Sequence, residues 1–215
     1  MNIEFSTPVT DQFEIHLTLD AVQAEDCAAG LIAFANERGL ALLQIELPRG
    51  AVPVQPMLGW RRDGALSDCM TDIGDVERAL TVLGIRVVRA KIEAAPSNVG
   101  VPQAGECCPP GTYFESHLKL RLDDERAVVA VADIAIAHGG HVSRNARRMR
   151  EDGRQERFVT LRSTENGLPG IQAQTQALRE ALSGRGVAIL DAEIEFVMHD
   201  SHRVLDAGWL PGEDT

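Results

Sequence analysis

The sequence predicts an α+β fold: a tandem duplication of a ferredoxin-like βαββαβ unit, giving two antiparallel four-stranded sheets, each with helices on one face. Three observations predict it. The segment Phe13–Leu19 (FEIHLTL) returns 101 positions later as Phe114–Leu120 (FESHLKL), with five of seven residues identical. A Pro/Gly-rich stretch separates the two copies. Within each copy the hydrophobic patterns run strand, helix, strand, strand, helix, strand, which is the split βαβ order.

The repeat continues beyond these two segments. The same offset carries Gly39 onto Gly140 and Arg61 onto Arg162. Matches that keep their order along the chain are hard to obtain by chance, so we interpret them as two copies of one folding unit. With one inserted residue, the offset also carries Ala90, Ile92 and Glu93 onto Ala192, Ile194 and Glu195.

The elements of the first copy follow from periodicity and from helix-end residues. Its first strand alternates apolar and polar side chains, as a half-buried strand does. The helix after it has Asp20 as N-cap and Gly39 just past its end, and Gly84 ends the second helix. The predicted strands are Phe13–Leu19, Ala41–Leu47, Met57–Arg61 and Val87–Glu93, and the predicted helices are Ala21–Glu37 and Asp75–Leu83.

The second copy repeats this order after a linker. Ala94–Thr112 holds four prolines and three glycines and shows no hydrophobic period, as a linker does. We therefore divide the chain into unit 1 at 1–95, the linker at 96–112, and unit 2 with a C-terminal tail at 113–215. The predicted strands of unit 2 are Ser116–Arg121, Val142–Asn145, Phe158–Arg162 and Val187–Val197, and its predicted helices are Asp124–Ala137 and Ile171–Leu182.

The composition narrows the possible partners. The formal charge is −11 and aromatic residues make up 4% of the chain, which disfavours nucleic acid and anionic membranes. No apolar run approaches the ~20 residues that span a bilayer. The four cysteines contain no CxxC pair, so we expect reduced thiols and a cytoplasmic location. A protein partner or a homo-oligomer stays open.

Strand alternation predicts one charged face per unit. In the first copy Glu14, His16 and Thr18 point away from the apolar side of their strand. The two polar faces either meet water or face each other across a cleft. A cleft would gather histidines, cations and carboxylates from both copies.

One candidate site uses the two repeated histidines, His16 and His117, as catalytic acid and base. The sequence His16-Leu17-Thr18-Leu19 resembles the HxTx motif of the 2H phosphoesterases, which are also internally duplicated. The resemblance implies that Thr18 contacts a phosphate. The second copy departs from it, because Lys119 stands where a Thr or Ser belongs. Arg61 and Arg162 complete the expected set of ligand-binding residues with Thr18 and Lys119.

An alternative candidate is a divalent metal. His16 with Glu93, and His117 with Glu195, would lie on neighbouring strands of their units. One His and one Glu per copy is similar to the paired-module vicinal-oxygen-chelate enzymes, and such ligands suit a first-row metal. Those modules carry one helix each, whereas two are predicted here.

The function predicted from sequence is therefore the binding of a small anionic ligand in a polar cleft between the copies, with hydrolysis and no cofactor as one form of it. A metal-dependent enzyme and a non-catalytic protein-interaction module are the alternatives. FESHLKL and LDAGWL are similar to segments of uncharacterised bacterial proteins, a resemblance that implies no activity.

Overall fold

A computed structural model describes residues 10–147 and 154–209. In these ranges the chain forms a mixed α+β fold of eight strands and five helices. The ends of the predicted units, at 1–9 and 210–215, lie outside the described residues. The strands are β1 Thr10–Leu19, β2 Ala41–Glu46, β3 Val54–Ala65, β4 Val87–Ala94, β5 Tyr113–Leu122, β6 His141–Asn145, β7 Gln155–Ser163 and β8 Ala188–Asp200. The helices are α1 Ala21–Asp26, α2 Ala28–Arg38, α3 Leu66–Val82, α4 Glu125–Ala137 and α5 Gly167–Ser183.

All eight strands belong to a single antiparallel sheet that closes into a barrel, in the order β1-β3-β2-β6-β7-β5-β8-β4. This corrects the prediction of two separate sheets. Each half keeps the ferredoxin-like order, β4-β1-β3-β2 and β8-β5-β7-β6, but its two edge strands pair with the edges of the other half. The physical reason is that an edge strand leaves a row of N–H and C=O groups unpaired, and pairing satisfies them.

The two joins between the halves differ in length. Strand β4 pairs with β8 from Lys91↔Asp200 to Ala94↔Phe196. Strand β2 pairs with β6 over two residue pairs, Ile45↔Asn145 and Glu46↔Arg144.

Apolar side chains of the strands face outward, where the helices cover them. On β1 the residues Phe13, Ile15 and Leu17 are buried in the same core as Leu31 of α2 and Leu80 of α3. The alternate side chains of the strands therefore point into the barrel. The second half is built alike, with Leu118 and Leu120 of β5 packed with Val131, Leu178 and Leu182 of the helices.

Three predicted helices differ from the structure by more than a single end residue, and the last of them is α5, which begins at Gly167 rather than at Ile171. The first predicted helix is divided at Cys27, although its ends are as expected: Asp20 accepts a hydrogen bond from Gln23 N at 3.2 Å, and Gly39 has φ 65°. Helix α3 begins at Leu66, well before the predicted start at Asp75. No described helix is both long and apolar enough to cross a membrane.

The segment after β8 lies against the barrel. It forms a 3-10 turn at Arg203–Asp206, and Trp209 packs against Leu47. The Ala51 N–H donates to Ala207 O at 2.9 Å, so the segment is tied to the loop after β2.

Candidate functional site

The inward-facing side chains of the barrel enclose a cavity of about 410 Å³ with two unlike walls. Strands β1, β4, β5 and β8 supply ionic groups. Strands β2, β3 and β7 and the C-terminal segment supply most of the apolar groups. The ionic wall includes Glu14, His16, Lys91, Glu93, Glu115, His117, Lys119, Glu193 and Glu195, and the apolar wall includes Leu43, Ile45, Leu47, Met57, Phe158 and Trp209.

His16 is held between two carboxylates. Its Nδ1 lies 2.8 Å from Glu93 Oε2 and its Nε2 lies 3.3 Å from Glu14 Oε1. Gly59 is its partner on β3, and a Cβ there would lie 2.9 Å from His16 Cδ2, so the glycine leaves room for the ring. Burial lowers the pKa of His16, but the hydrogen bonds to Glu14 and Glu93 outweigh it and raise the pKa to about 9.

His117 has a different set of partners. Its Nδ1 lies 2.9 Å from Thr160 Oγ1, and its Nε2 lies 3.4 Å from both Glu115 and Glu195. Burial again lowers the pKa, and the hydrogen bonds to Glu115 and Glu195 raise it to about 10. Both imidazoles are therefore cationic at neutral pH.

Lys91 links the two histidine sites. Its Nζ lies 2.6 Å from Glu93 Oε1 and 2.8 Å from Glu115 Oε2, which belong to different halves of the barrel. Burial acts to raise the pKa of both carboxyls, yet the Lys91 charge helps hold both below the usual range. The ion pairs thus form one buried network across the barrel.

A second cluster surrounds Tyr113 at the start of β5. Arg89 donates to both Asp200 and Asp206, and Tyr113 donates its hydroxyl proton to Asp200. The Arg162 guanidinium lies over the Tyr113 ring, 4.2 Å from its centroid.

Three carboxylates converge at the rim of the cavity. One oxygen each of Glu14, Glu193 and Glu195 lies within 4.8 Å of the others. Burial and the Glu93 charge raise the pKa of Glu195 to about 7. Glu195 is thus partly protonated near neutrality.

The structure brings four of the six predicted site residues to the cavity wall. His16, His117, Arg61 and Lys119 line it. Arg61 is an exposed residue that pairs with Glu14 at 3.1 Å, and Lys119 Nζ lies 3.1 Å from Glu156.

The other two, Thr18 and Arg162, are not among the residues that line the cavity. Thr18 is 2% exposed near the end of β1. Arg162 donates to Glu115 and Asp206, 2.7 Å from each. Neither arrangement resembles an open phosphate contact.

The predicted metal ligands form pairs rather than one centre. His16 bonds Glu93, and His117 lies 3.4 Å from Glu195. A different group, Glu93, Glu115 and His117, offers ligand atoms within 4.8 Å of one another. The Lys91 ammonium already bridges its two carboxylates, so a metal would have to displace that cation. The metal site stays a prediction.

Several site residues were missed by sequence reasoning. Alternation places Glu14, Lys91 and Glu115 on the polar face, but no pattern shows that Lys91 bridges the halves. Asp206 and Trp209 carry no periodic signal, because they follow the last strand.

Comparison with known proteins assigns no family. No family model matches the chain, and no curated protein matches it. The regulatory subunit of aspartate kinase from Thermus thermophilus matches at 16% identity, covering 83% of this chain and 99% of that one, with a TM-score of 0.32. A chlorite dismutase variant from Candidatus Nitrospira defluvii matches at 11% identity over 94% and 95%, with a TM-score of 0.31. Similarity at this level indicates neither a ligand nor an activity.

Proposed function

We propose that the protein binds a small amphipathic molecule inside the barrel, with an apolar body and an anionic head. The cavity of about 410 Å³ is within the range of ~300 to 1,000 Å³ that small-molecule sites occupy. Its division into an apolar and an ionic wall matches a ligand with two unlike ends.

The apolar wall supports the body of such a ligand. Ile45, Met57, Phe158 and Trp209 come from different elements and line one cavity. Burying an apolar group against them removes it from water, which favours binding by about 25 cal/mol per Å² of apolar surface buried. A flat aromatic or compact aliphatic body fits this wall.

The charge of the ligand head is inferred from the side-chain charges that are exposed to the cavity, and this observation carries the proposal. The side chains of His16, Lys91, Lys119 and His117 are 18%, 14%, 24% and 26% exposed. The carboxylates that pair with Lys91 are Glu93 and Glu115, which are 1% and 2% exposed.

His16 and His117 also pair with Glu93 and Glu115, so these three cations are more exposed to the cavity than the two carboxylates that hold them. Glu14, Glu193 and Asp191 are more exposed carboxylates of the same wall, and Arg61 pairs with two of them, Glu14 and Glu193. Glu195 is partly neutralised by its raised pKa, and an incoming anion would favour its neutral form further.

A matched ligand series tests the proposal. Isothermal titration calorimetry at pH 7 would compare the affinities of 1-naphthoate, 1-naphthalenemethanol and 1-naphthylmethylammonium, which share one ring system and differ in head charge. We expect the carboxylate to bind at least about tenfold more tightly than the alcohol, or ~1.4 kcal/mol, and the ammonium most weakly. Tighter binding of the ammonium would mean that the cavity prefers a cationic head. If none of the three compounds binds, the proposal of a ligand site in the cavity is wrong.

A pair of variants locates the binding. Lys119→Met removes a cavity cation. Arg121→Met makes the same change two residues further along β5, at a residue that does not line the cavity. We expect only Lys119→Met to weaken 1-naphthoate. Equal effects would mean that the probe senses overall charge.

The hydrolytic role of His16 and His117 stays a prediction. Hydrolysis of a phosphodiester with one histidine as general acid and the other as general base needs one neutral imidazole. The raised pKa of both histidines favours imidazolium at neutral pH. We therefore assign the two histidines to charge and hydrogen bonding in the binding proposal.

The evolutionary origin that we propose is a duplication, with units at 1–95 and 113–215. The equal strand order of the two halves and the matched histidine strands support it. Binding by a cavity built from both units would then require both copies. The cytoplasmic location stays a prediction from the four free thiols.

A further inference from the structure

The C-terminal segment inserts one of its own carboxylates between two buried arginines. Arg89 comes from β4 in the first half of the barrel, and Arg162 comes from β7 in the second. Asp206 accepts from Arg89 Nη1 at 2.9 Å and Nη2 at 3.0 Å, and from Arg162 Nη2 at 2.7 Å. All three side chains are at most 6% exposed. The arrangement is a carboxylate held by two guanidinium groups.

The two arginines are fixed without Asp206. Asp200 of β8 accepts from Arg89 Nε at 2.9 Å and Nη2 at 2.6 Å. Glu115 of β5 accepts from Arg162 Nε at 3.1 Å. The barrel strands thus build the clamp, while its occupant comes from a segment outside the sheet.

The clamp fits a carboxylate in particular. Arg89 presents two parallel N–H groups to the two oxygens of Asp206, the bidentate geometry that guanidinium and carboxylate share. An ammonium group in the same place would offer these donors no acceptor, and a hydroxyl group would offer one neutral oxygen instead of two charged ones.

The clamp also borders the cavity. Arg89 and Asp206 line the same space as His16, His117 and Trp209. A carboxylate that enters this space therefore meets a position already filled by the chain's own carboxylate.

We propose that Arg89 and Arg162 form a carboxylate-binding clamp for which the ligand head and Asp206 compete. Asp206 is then an internal competitor, and the C-terminal segment regulates the affinity of the cavity. This inference rests on the proposed function, because it names the regulation of the same site and narrows the head to a carboxylate.

The first test compares two variants that each remove one negative charge from the cavity wall. Asp206→Asn empties the clamp of its carboxylate, and Asp191→Asn changes an exposed residue of the wall. We expect Asp206→Asn to bind 1-naphthoate about tenfold more tightly than the wild type, with Asp191→Asn changing the affinity less than about threefold and 1-naphthalenemethanol unaffected. An unchanged or weaker affinity of Asp206→Asn would overturn the competition.

The second test does not need the naphthoate probe. In Asp206→Ala, acetate would supply the missing carboxylate to the clamp. We expect a saturable rise of the thermal midpoint with sodium acetate over equal sodium chloride, absent in the wild type and in Asp191→Ala. If the variant does not fold alone, the yield of folded protein after refolding with acetate is the readout. No acetate effect would overturn the clamp.

The two tests separate the proposals. If naphthoate binds neither the wild type nor Asp206→Asn, the proposed function fails, while acetate still decides whether the clamp exists. If naphthoate binds both proteins equally and acetate has no effect, the cavity proposal stands and the clamp is wrong.

Discussion

At the scale of single residues, the two repeated histidines show how one position can be satisfied in two ways. The cross-strand partner of His16 is Gly59, and that of His117 is Thr160. The glycine gives the ring space, so that His16 Nδ1 reaches Glu93, whereas the threonine hydroxyl itself bonds His117 Nδ1. Equivalent strands thus give both imidazoles a cationic form through different neighbours.

Gly59→Ala tests whether the glycine sets the position of the His16 ring. The added Cβ would lie 2.9 Å from His16 Cδ2 and 3.1 Å from Nε2, so the ring must shift from its position between Glu14 and Glu93. We expect the pKa of His16, about 9 in the wild type, to fall toward its ordinary value. The loss of stability should be ~1 to 3 kcal/mol, the cost of disturbing a buried charged hydrogen bond. An NMR titration of the imidazole and urea unfolding measure the two effects.

The matched change is Gly30→Ala in helix α2. A Cβ there meets nothing within 4 Å, so alanine should stabilise the helix by about 0.5 to 1 kcal/mol and leave the His16 titration unchanged. A wild-type titration of His16 in Gly59→Ala would show that the glycine does not set the position of the ring.

At the scale of elements, the linker between the halves is packed against helix α5. The Leu168 N–H donates to Pro102 O at 3.0 Å at the start of the helix. Gly167, the first residue of α5, has φ 59°, and a Cβ on it would lie 2.1 Å from Gln103 O. This contact needs both the left-handed backbone and the missing side chain.

Gly167→Ala should therefore destabilise the protein by more than a strained backbone alone. Gly105→Ala in the same linker is the control, because Gly105 has φ 76° with open space around its Cβ. We expect about 1 kcal/mol for Gly105→Ala and ~2 to 4 kcal/mol for Gly167→Ala from urea unfolding. Equal losses would mean that the linker yields to the new methyl group at no cost.

The elements also show what a sequence can and cannot predict. Alternation along β1 predicts which side chains face the helices, because burial repeats every second residue. Helix α3 begins nine residues before the predicted start at Asp75, and the spacing of Leu66, Cys69, Met70 and Ile73 is the helical signal that the prediction missed. The position of Asp206 could not be predicted, since a segment after the last strand has no period to follow.

At the scale of the whole molecule, barrel closure decides whether a site exists. The pairings of β2 with β6 and of β4 with β8 are made by main-chain groups, which every sequence carries, so no motif announces them. Sequence reasoning left open whether the polar faces meet water or each other. Closure turns them inward and places Lys91 between carboxylates of both halves.

This enclosed charge gives the fold a defined pH dependence. The folded-state pKa is raised from 6.5 to about 9 for His16 and to about 10 for His117. A raised pKa means that the folded state binds the proton more tightly than the unfolded state. The stabilisation is therefore complete below pH 6.5 and is lost as the pH rises through about 9 and 10. The pKa of Glu195 is raised from 4.5 to about 7, so its contribution to stability also falls as the pH rises, between about 4.5 and 7.

We expect the free energy of unfolding to fall between pH 7 and pH 10, by ~1.4 kcal/mol per pH unit for each histidine that is protonated only in the folded state. Urea unfolding followed by circular dichroism at successive pH values measures this slope. His117→Gln should lower this slope by the contribution of about one proton, whereas His138→Gln, at the exposed end of helix α4, should leave the slope unchanged. Stability that is flat or rises over this range would mean that the barrel does not hold its histidines as cations. The charge assignment behind the anionic-head proposal would then be wrong.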